Sequence, residues 1–325
     1  MRSLPLRIIS VFCGLCLTVA CSQLHAQTFP SKPLRIVVPF PPGGAADITS
    51  RVLAEYMSKG LGQPLLVENR PGGSTIIGSE IVARAPADGH TLLVVFPSFV
   101  INPSLRRSMP FDPLTDFKPV GQTMSVPMAI GAHPSVPAKN LQELIALARA
   151  KPGELSYGTP GIGTTHHVMG EMLKQAASIN IVHAPFQGGA PSLTAVTGGH
   201  IQLIYGNATE IAPSVKSGKL RAIVVTSAER SDVLPDVPTM RESGYPELEG
   251  TNWSGLVVSA ATPPAAIARL SAELLRALRD ADVQGKFKSY GMWAAPTTPE
   301  QFGAFLKSES ARYGKAAREA GVTTE

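Results

Sequence analysis

Leu34-Arg35-Ile36-Val37-Val38-Pro39-Phe40-Pro41-Pro42-Gly43-Gly44-Ala45-Ala46-Asp47 is the stretch on which the fold turns. Its first seven residues form a short, β-branched, apolar run closed by prolines, the pattern of a strand buried on both faces. The prolines and glycines stop that strand. Beyond them Ile48, Val52, Leu53 and Tyr56 recur at helical spacing, so the order is strand, glycine turn, helix.

The same alternation continues outward. Residues 65–68 predict a second strand, 69–75 a glycine-containing loop opening a helix to about Arg84, and 91–96 a third strand. A βαβαβ series implies a parallel sheet with helices on both faces. Further strands are expected at 126–132, 155–158, 180–183, 201–205 and 220–226. Helices are expected at 140–150, from about His166, at 263–290 as mostly one helix, and at 299–320. Asn140 followed by Glu143 has the spacing of a capping box. The chain has 325 residues, enough for about two domains, yet no linker separates two halves. Two α/β lobes joined by crossing strands explain this, with lobe 1 at 27–128 plus 255–325 and lobe 2 at 129–254.

Charged residues make up 16% and hydrophobic ones 44% of the chain, with 30 glycines and 29 prolines. That is a folded, turn-rich protein rather than a disordered one. The net charge is +5, but aromatics are only 6% and no basic run exceeds Arg106-Arg107. A nucleic-acid groove is therefore not expected. Cys13, Cys16 and Cys21 all lie in an amino-terminal segment that reads as a secretory signal over residues 1–26. Two processing routes stand open: cleavage after Ala26, giving a soluble periplasmic protein without cysteine, or a lipobox-like Leu17-Thr18-Val19-Ala20-Cys21 that leaves a lipidated Cys21.

Two glycine loops, Gly43-Gly44-Ala45-Ala46-Asp47 and Gly161-Ile162-Gly163-Thr164-Thr165, each follow a strand and open a helix. The first amides of a helix lack internal partners and its dipole is positive there, so such turns accept anions. Their small residues leave the amides unshielded. Asp47 is read as a dipole partner, a loop brace or a ligand-orienting group. Nucleotide and catalytic patterns are missing: His166 stands where a dinucleotide fingerprint needs glycine, no phosphate-loop motif occurs, and no serine sits in G-x-S-x-G. His167 and Glu171 fall four apart beside His166, leaving a metal-dependent enzyme as the alternative class. No cofactor is expected. The residues thus predict an exported clamshell that binds an acidic solute.

Several ordered stretches carry a family resemblance: 29–44 followed by Asp47, Val67-Glu68-Asn69-Arg70-Pro71-Gly72, Asp88-Gly89-His90-Thr91-Leu92-Leu93, Tyr157-Gly158-Thr159-Pro160-Gly161, His183-Ala184-Pro185-Phe186-Gln187-Gly188-Gly189 and Leu234-Pro235-Asp236-Val237-Pro238. In these the chain resembles the Bug or TctC-like receptors of tripartite tricarboxylate transporters over residues 29–321. The resemblance implies an α/β, two-lobed periplasmic binding-protein fold of the Venus flytrap kind, each lobe a mostly parallel sheet flanked by helices. It also implies capture of a small carboxylate without catalysis and delivery to a two-component inner-membrane permease, with a sensor role as a variant. A monomer is expected.

Carried over, the ligand-binding positions are Gly43, Gly44, Ala45, Ala46 and Asp47 in lobe 1, and Thr159, Gly161, Ile162, Gly163, Thr164 and Thr165 in lobe 2. Ser98 and Asn207 are expected at the distal part of the ligand. Ala46 stands where a hydroxyl residue is frequent in the family, Ile162 where a polar residue is, and Phe186-Gln187 where Tyr-Lys is. Those departures point to a ligand less polar than citrate, such as a monocarboxylate or an aromatic acid.

Overall fold

A computed structural model describes residues 29–319; the expected signal segment, its three cysteines and both processing sites lie outside the described residues. In chain order the first part contains β1 (Leu34–Val38), α1 (Ala45–Leu61), β2 (Leu65–Asn69), α2 (Ile76–Ala83), β3 (Thr91–Val95), α3 (Pro97–Leu105) and β4 (Phe117–Ala132). The middle part contains α4 (Leu141–Ala150), β5 (Ser156–Thr159), α5 (Thr165–Ala177), β6 (Val182–Pro185), α6 (Gly189–Thr197), β7 (Leu203–Asn207), α7 (Ala208–Lys216) and β8 (Arg221–Val225). Then come β9 (Thr251–Ser259), α8 (Pro264–Arg279), α9 (Ala281–Ser289), β10 (Trp293–Ala294) and α10 (Pro299–Glu319).

The opening strand behaves as its composition demands. β1 lies between β2 and β3 and pairs in parallel with both. Leu34, Ile36 and Val38 point into a core with α1 and α8, while Val37 points the other way, toward Phe99, Trp253 and Phe302. Both faces are covered, which is why the run tolerates no polar alternation. After it, Gly43 takes a φ of +86° and Gly44 caps α1 in an extended conformation.

The second sheet is built around β5, which pairs in parallel with β6 and β7. Every antiparallel pair among the described strands involves β4 or β9. β4 pairs with β9 from Phe117 to Pro127 and with β7 and β8 from Met128 onward. It is therefore one strand shared by both sheets. The sequence predicts only its last seven residues, Pro127 among them, and leaves out 117–125, where Pro119 and Gly121 interrupt the apolar pattern. The ladder accommodates Pro119 at a register shift between Pro119 and Gly121, one of the places where a sheet admits proline.

The single helix expected over 263–290 is in fact two. Asp280 leaves helical geometry, and its carboxylate accepts the N–H groups of Asp282 at 2.9 Å and Val283 at 3.4 Å. A side chain that caps a new helix ends the old one. Of the capping box expected at Asn140, the cap itself forms, with the Asn140 side chain accepting Glu143 N–H at 2.9 Å, while Glu143 reaches back to Lys139 N–H at 2.7 Å instead of to the N–H of Asn140. α10 leans on both sheets: Phe302 and Leu306 pack beside Trp253, whereas Tyr313, Ala316 and Ala317 enter the second sheet's core with Ile101 and Leu105 of α3. No helix among the described residues is long and apolar enough to cross a membrane.

Gly255, in the middle of β9, faces the Phe302 ring so closely that a Cβ there would fall inside it. Gly255→Ala should therefore lower the unfolding free energy by about 1–3 kcal/mol, seen as a lower urea midpoint. Phe302→Leu in that background should return part of the loss. An unchanged midpoint for Gly255→Ala would refute this account of the packing.

Candidate functional site

The first glycine loop is braced from within. Gly43 N–H donates to Asp47 Oδ2 at 3.0 Å, and Arg51 Nε donates to the same oxygen at 3.1 Å. Arg51 also reaches Asn69 Oδ1 at 3.3 Å, and Asn69 Nδ2 donates to Phe40 O at 3.1 Å. The Arg51 hydrogen bond, more than any other cause, holds the Asp47 carboxyl below its ordinary range. Asp47 is only 4% exposed and lies in the first turn of α1, so it braces the loop and also faces the positive end of the helix dipole. The first helical bond of α1 is Ile48 N–H to Gly44 O at 3.0 Å. The amides of Gly44, Ala45 and Ala46 therefore precede the helical ladder. Ala46 turns its methyl into the core, so its backbone amide rather than its side chain faces the loop opening.

The second loop has a different brace. Thr164 caps α5: its hydroxyl donates to Gly161 O at 2.8 Å and accepts His167 N–H at 3.4 Å. Thr159 Oγ1 accepts Gly161 N–H at 3.3 Å and meets His183 Nε2 at 2.7 Å. Gly163 N–H donates to His167 Nδ1 at 3.2 Å, so that nitrogen is unprotonated and the ring proton belongs on Nε2. The His167 and His183 rings stack with centroids 3.8 Å apart. The amides of Gly161 and Gly163 are thus spent on the loop itself, which corrects the expectation that they stand unshielded. Thr165 and His166 supply the amides that remain before the first bond of α5, Val168 N–H to Thr164 O at 3.1 Å. Ile162 is 44% exposed at the loop tip.

The two halves meet at a cavity of about 160 Å³ lined by Ala45, Ile48, Val126, Asn207, Glu210 and Asn252 among others. Of the expected site residues, Ala45 and Asn207 line it directly. His166 of α5 is not a lining residue but bonds to one, with Nε2 3.1 Å from Asn207 Oδ1. Ser98 stands elsewhere, at the start of α3, 3.5 Å from Thr75 Oγ1. Asn252, Glu210, Tyr290 and Met292 were not legible as lining residues. Only Gly291, at a φ of +65° between the last two, marked a turn.

Burial governs the histidines. It pushes His166 down to about 4 and His183 down to about 3 from an ordinary 6.5, and His167 in the same direction. The imidazoles near the site are therefore neutral at pH 7. His166 turns to Asn207, His167 to Gly163, and Glu171 accepts from Tyr157 at 2.7 Å and pairs with Lys174 at 2.7 Å. Among the described residues no three such side chains are placed to hold a metal ion. Because the folded values lie below the unfolded one, the unfolded chain binds more protons as pH falls below 6.5, so stability is complete above that pH and is lost toward pH 4. At pH 5 the His166 contribution alone is a loss on the order of 2 kcal/mol. His166→Gln should flatten the fall of melting temperature between pH 7 and pH 5; an equally steep fall would remove His166 from the account.

Residues 49–322 match the tripartite tricarboxylate transporter family receptor. Protein BugT of Bordetella pertussis is 34% identical over 305 residues, which is 93% of each chain. Among solved structures, the periplasmic binding protein BugD is 34% identical with a TM-score of 0.78, covering 91% of this chain and 99% of that one. An R. palustris protein solved with adipate is 31% identical with a TM-score of 0.81, over 91% and 99%. The two-lobed α/β fold and the family resemblance of the sequence are thereby established, and the chain belongs to the tripartite tricarboxylate transporter receptor family.

Proposed function

We propose that this chain is a periplasmic receptor that captures a small carboxylate between its lobes and passes it, as a monomer and without catalysis, to a two-component membrane permease. The observation that carries the reading is the cavity between the two sheets, where Ala45 at the start of α1 faces Asn207 at the start of α7. The first-turn amides of α1, open to that small space, make an anion site that needs no basic side chain. The adipate found with an R. palustris relative has the same chemistry. On this reading lobe 1 is 27–128 plus 255–325 and lobe 2 is 129–254, and β4 changes partners where they divide. The ligand carboxylate lies against the first-turn amides of α1, with α5 contributing Thr165 and His166 from across the cleft.

The cavity walls also support a ligand less polar than citrate. Ile48, Met124, Val126 and Met292 contribute apolar surface, and none of the lining residues is basic. A tricarboxylate would bring more charge than such walls can neutralise.

Gly44 has an ordinary negative φ, and a Cβ there meets nothing within 4 Å. Gly44→Leu should thus fold, at a capping cost of about 1 kcal/mol, while covering the amides. Calorimetric titration with benzoate, hexanoate and citrate should show the monocarboxylates binding the parent chain more tightly than citrate. Gly44→Leu should weaken them at least tenfold. Equal binding by parent and variant would remove the α1 terminus from the site, and tighter citrate binding would overturn the polarity argument.

A further inference from the structure

Glu210 belongs to the first turn of α7 and lines the interlobe cavity, where its carboxylate is the single ionisable acid in a wall that holds no Lys, Arg or His. Its Oε1 accepts from Asn207 Nδ2 at 3.0 Å. Its Oε2 lies against the start of α6, where a Cβ on Gly189 would stand 2.6 Å away. Glycine at that position is what leaves room for the carboxylate. Glu210 is an exposed residue, yet desolvation where its carboxyl packs pushes that group upward.

The start of α7 is therefore already served by the protein's own acid, and the start of α1 is left for a ligand's. We infer that Glu210 sets the distal specificity of the cleft: the ligand is a monocarboxylic acid whose far end carries a hydrogen-bond donor, a hydroxyl, amide N–H or ammonium, and dicarboxylates are turned away. The inference rests on the receptor reading above. A carboxylate anchored at α1 directs its opposite end at Asn207 and Glu210. A carboxylate oxygen can only accept there, so a donor is rewarded and a second carboxylate meets like charge with no cation to offset it. The size of the space fits such acids, since an apolar cavity of about 150 Å³ takes a benzene-sized molecule.

Two matched series test this by calorimetry: hexanoate, 6-hydroxyhexanoate and adipate; benzoate, 4-hydroxybenzoate and terephthalate. Within each series only the far end changes, from no polar group to a hydroxyl to a carboxylate. The parent chain should bind the hydroxy acid at least tenfold more tightly than the dicarboxylate in whichever series fits. Glu210→Gln keeps an oxygen for Asn207 and should close most of the gap between the hydroxy acid and the dicarboxylate. Adipate or terephthalate binding the parent as tightly as its hydroxy partner, or a ratio unmoved by Glu210→Gln, overturns the inference and leaves the receptor reading intact. Failure of all six acids to bind either protein overturns both.

Discussion

Both sheets hang on the backbone of one strand. At sixteen residues and a rise of about 3.3 Å each, β4 is long enough to traverse the molecule, and it hands its hydrogen bonds from β9 to β7 and β8 between Pro127 and Met128. The return crossing is tied to the same place. Thr226 Oγ1 donates to Gly250 O at 2.7 Å and accepts Met128 N–H at 3.2 Å, while Gly250 N–H donates to Thr226 O at 2.8 Å. Relative motion of the sheets has to bend at this seam, as in hinge closure. It must also move α10, which packs on both cores.

The two helix-opening loops, one on either side of the seam, are each stiffened from within. In the first the stiffener is a charged pair, Asp47 with Arg51; in the second it is a neutral stack, His167 on His183. Each brace consumes an amide that a sequence reader would give to the ligand, Gly43 in one case and Gly163 in the other. What is gained is preorganisation, since a loop fixed in advance loses less entropy on binding. Glycine is obligatory at Gly163 on two counts. Its φ is +75°, and a Cβ would lie 2.7 Å from Leu105 Cδ1, so a bulky residue there would damage the fold as well as the site.

How much of this was legible follows from how local each signal is. The strand-glycine-helix units at 34–61 and 156–177 announce themselves because apolar runs, glycines and capping hydroxyls sit within a few residues of one another. The first half of β4 hid behind Pro119 and Gly121, which the ladder with β9 admits at a register shift. The break at Asp280 was a capping side chain inside an otherwise helical pattern, with no glycine to flag it. At the site, the two loops were readable, but the direction of Ala46 was not. On a helix an error of two residues turns a side chain to the opposite face. Glu210, Asn252 and Met292 come from three separate elements, and only the tertiary fold gathers them at one cavity.

The charge pattern then takes on a different sense. The chain carries a net +5, yet none of that excess lines the cleft, whose one ionisable wall residue is acidic. On the receptor reading, attraction for an acid comes from backbone dipoles, which act over about one helical turn, rather than from a long-range field of lysines and arginines. Such recognition is largely insulated from salt, because the interacting groups lie closer together than the roughly 10 Å screening length at 0.1 M. It is also indifferent to what the carboxylate is attached to. Discrimination among acids must therefore be made at the other end of the cavity, by the few side chains from β7, α7 and β9 that the seam holds opposite α1.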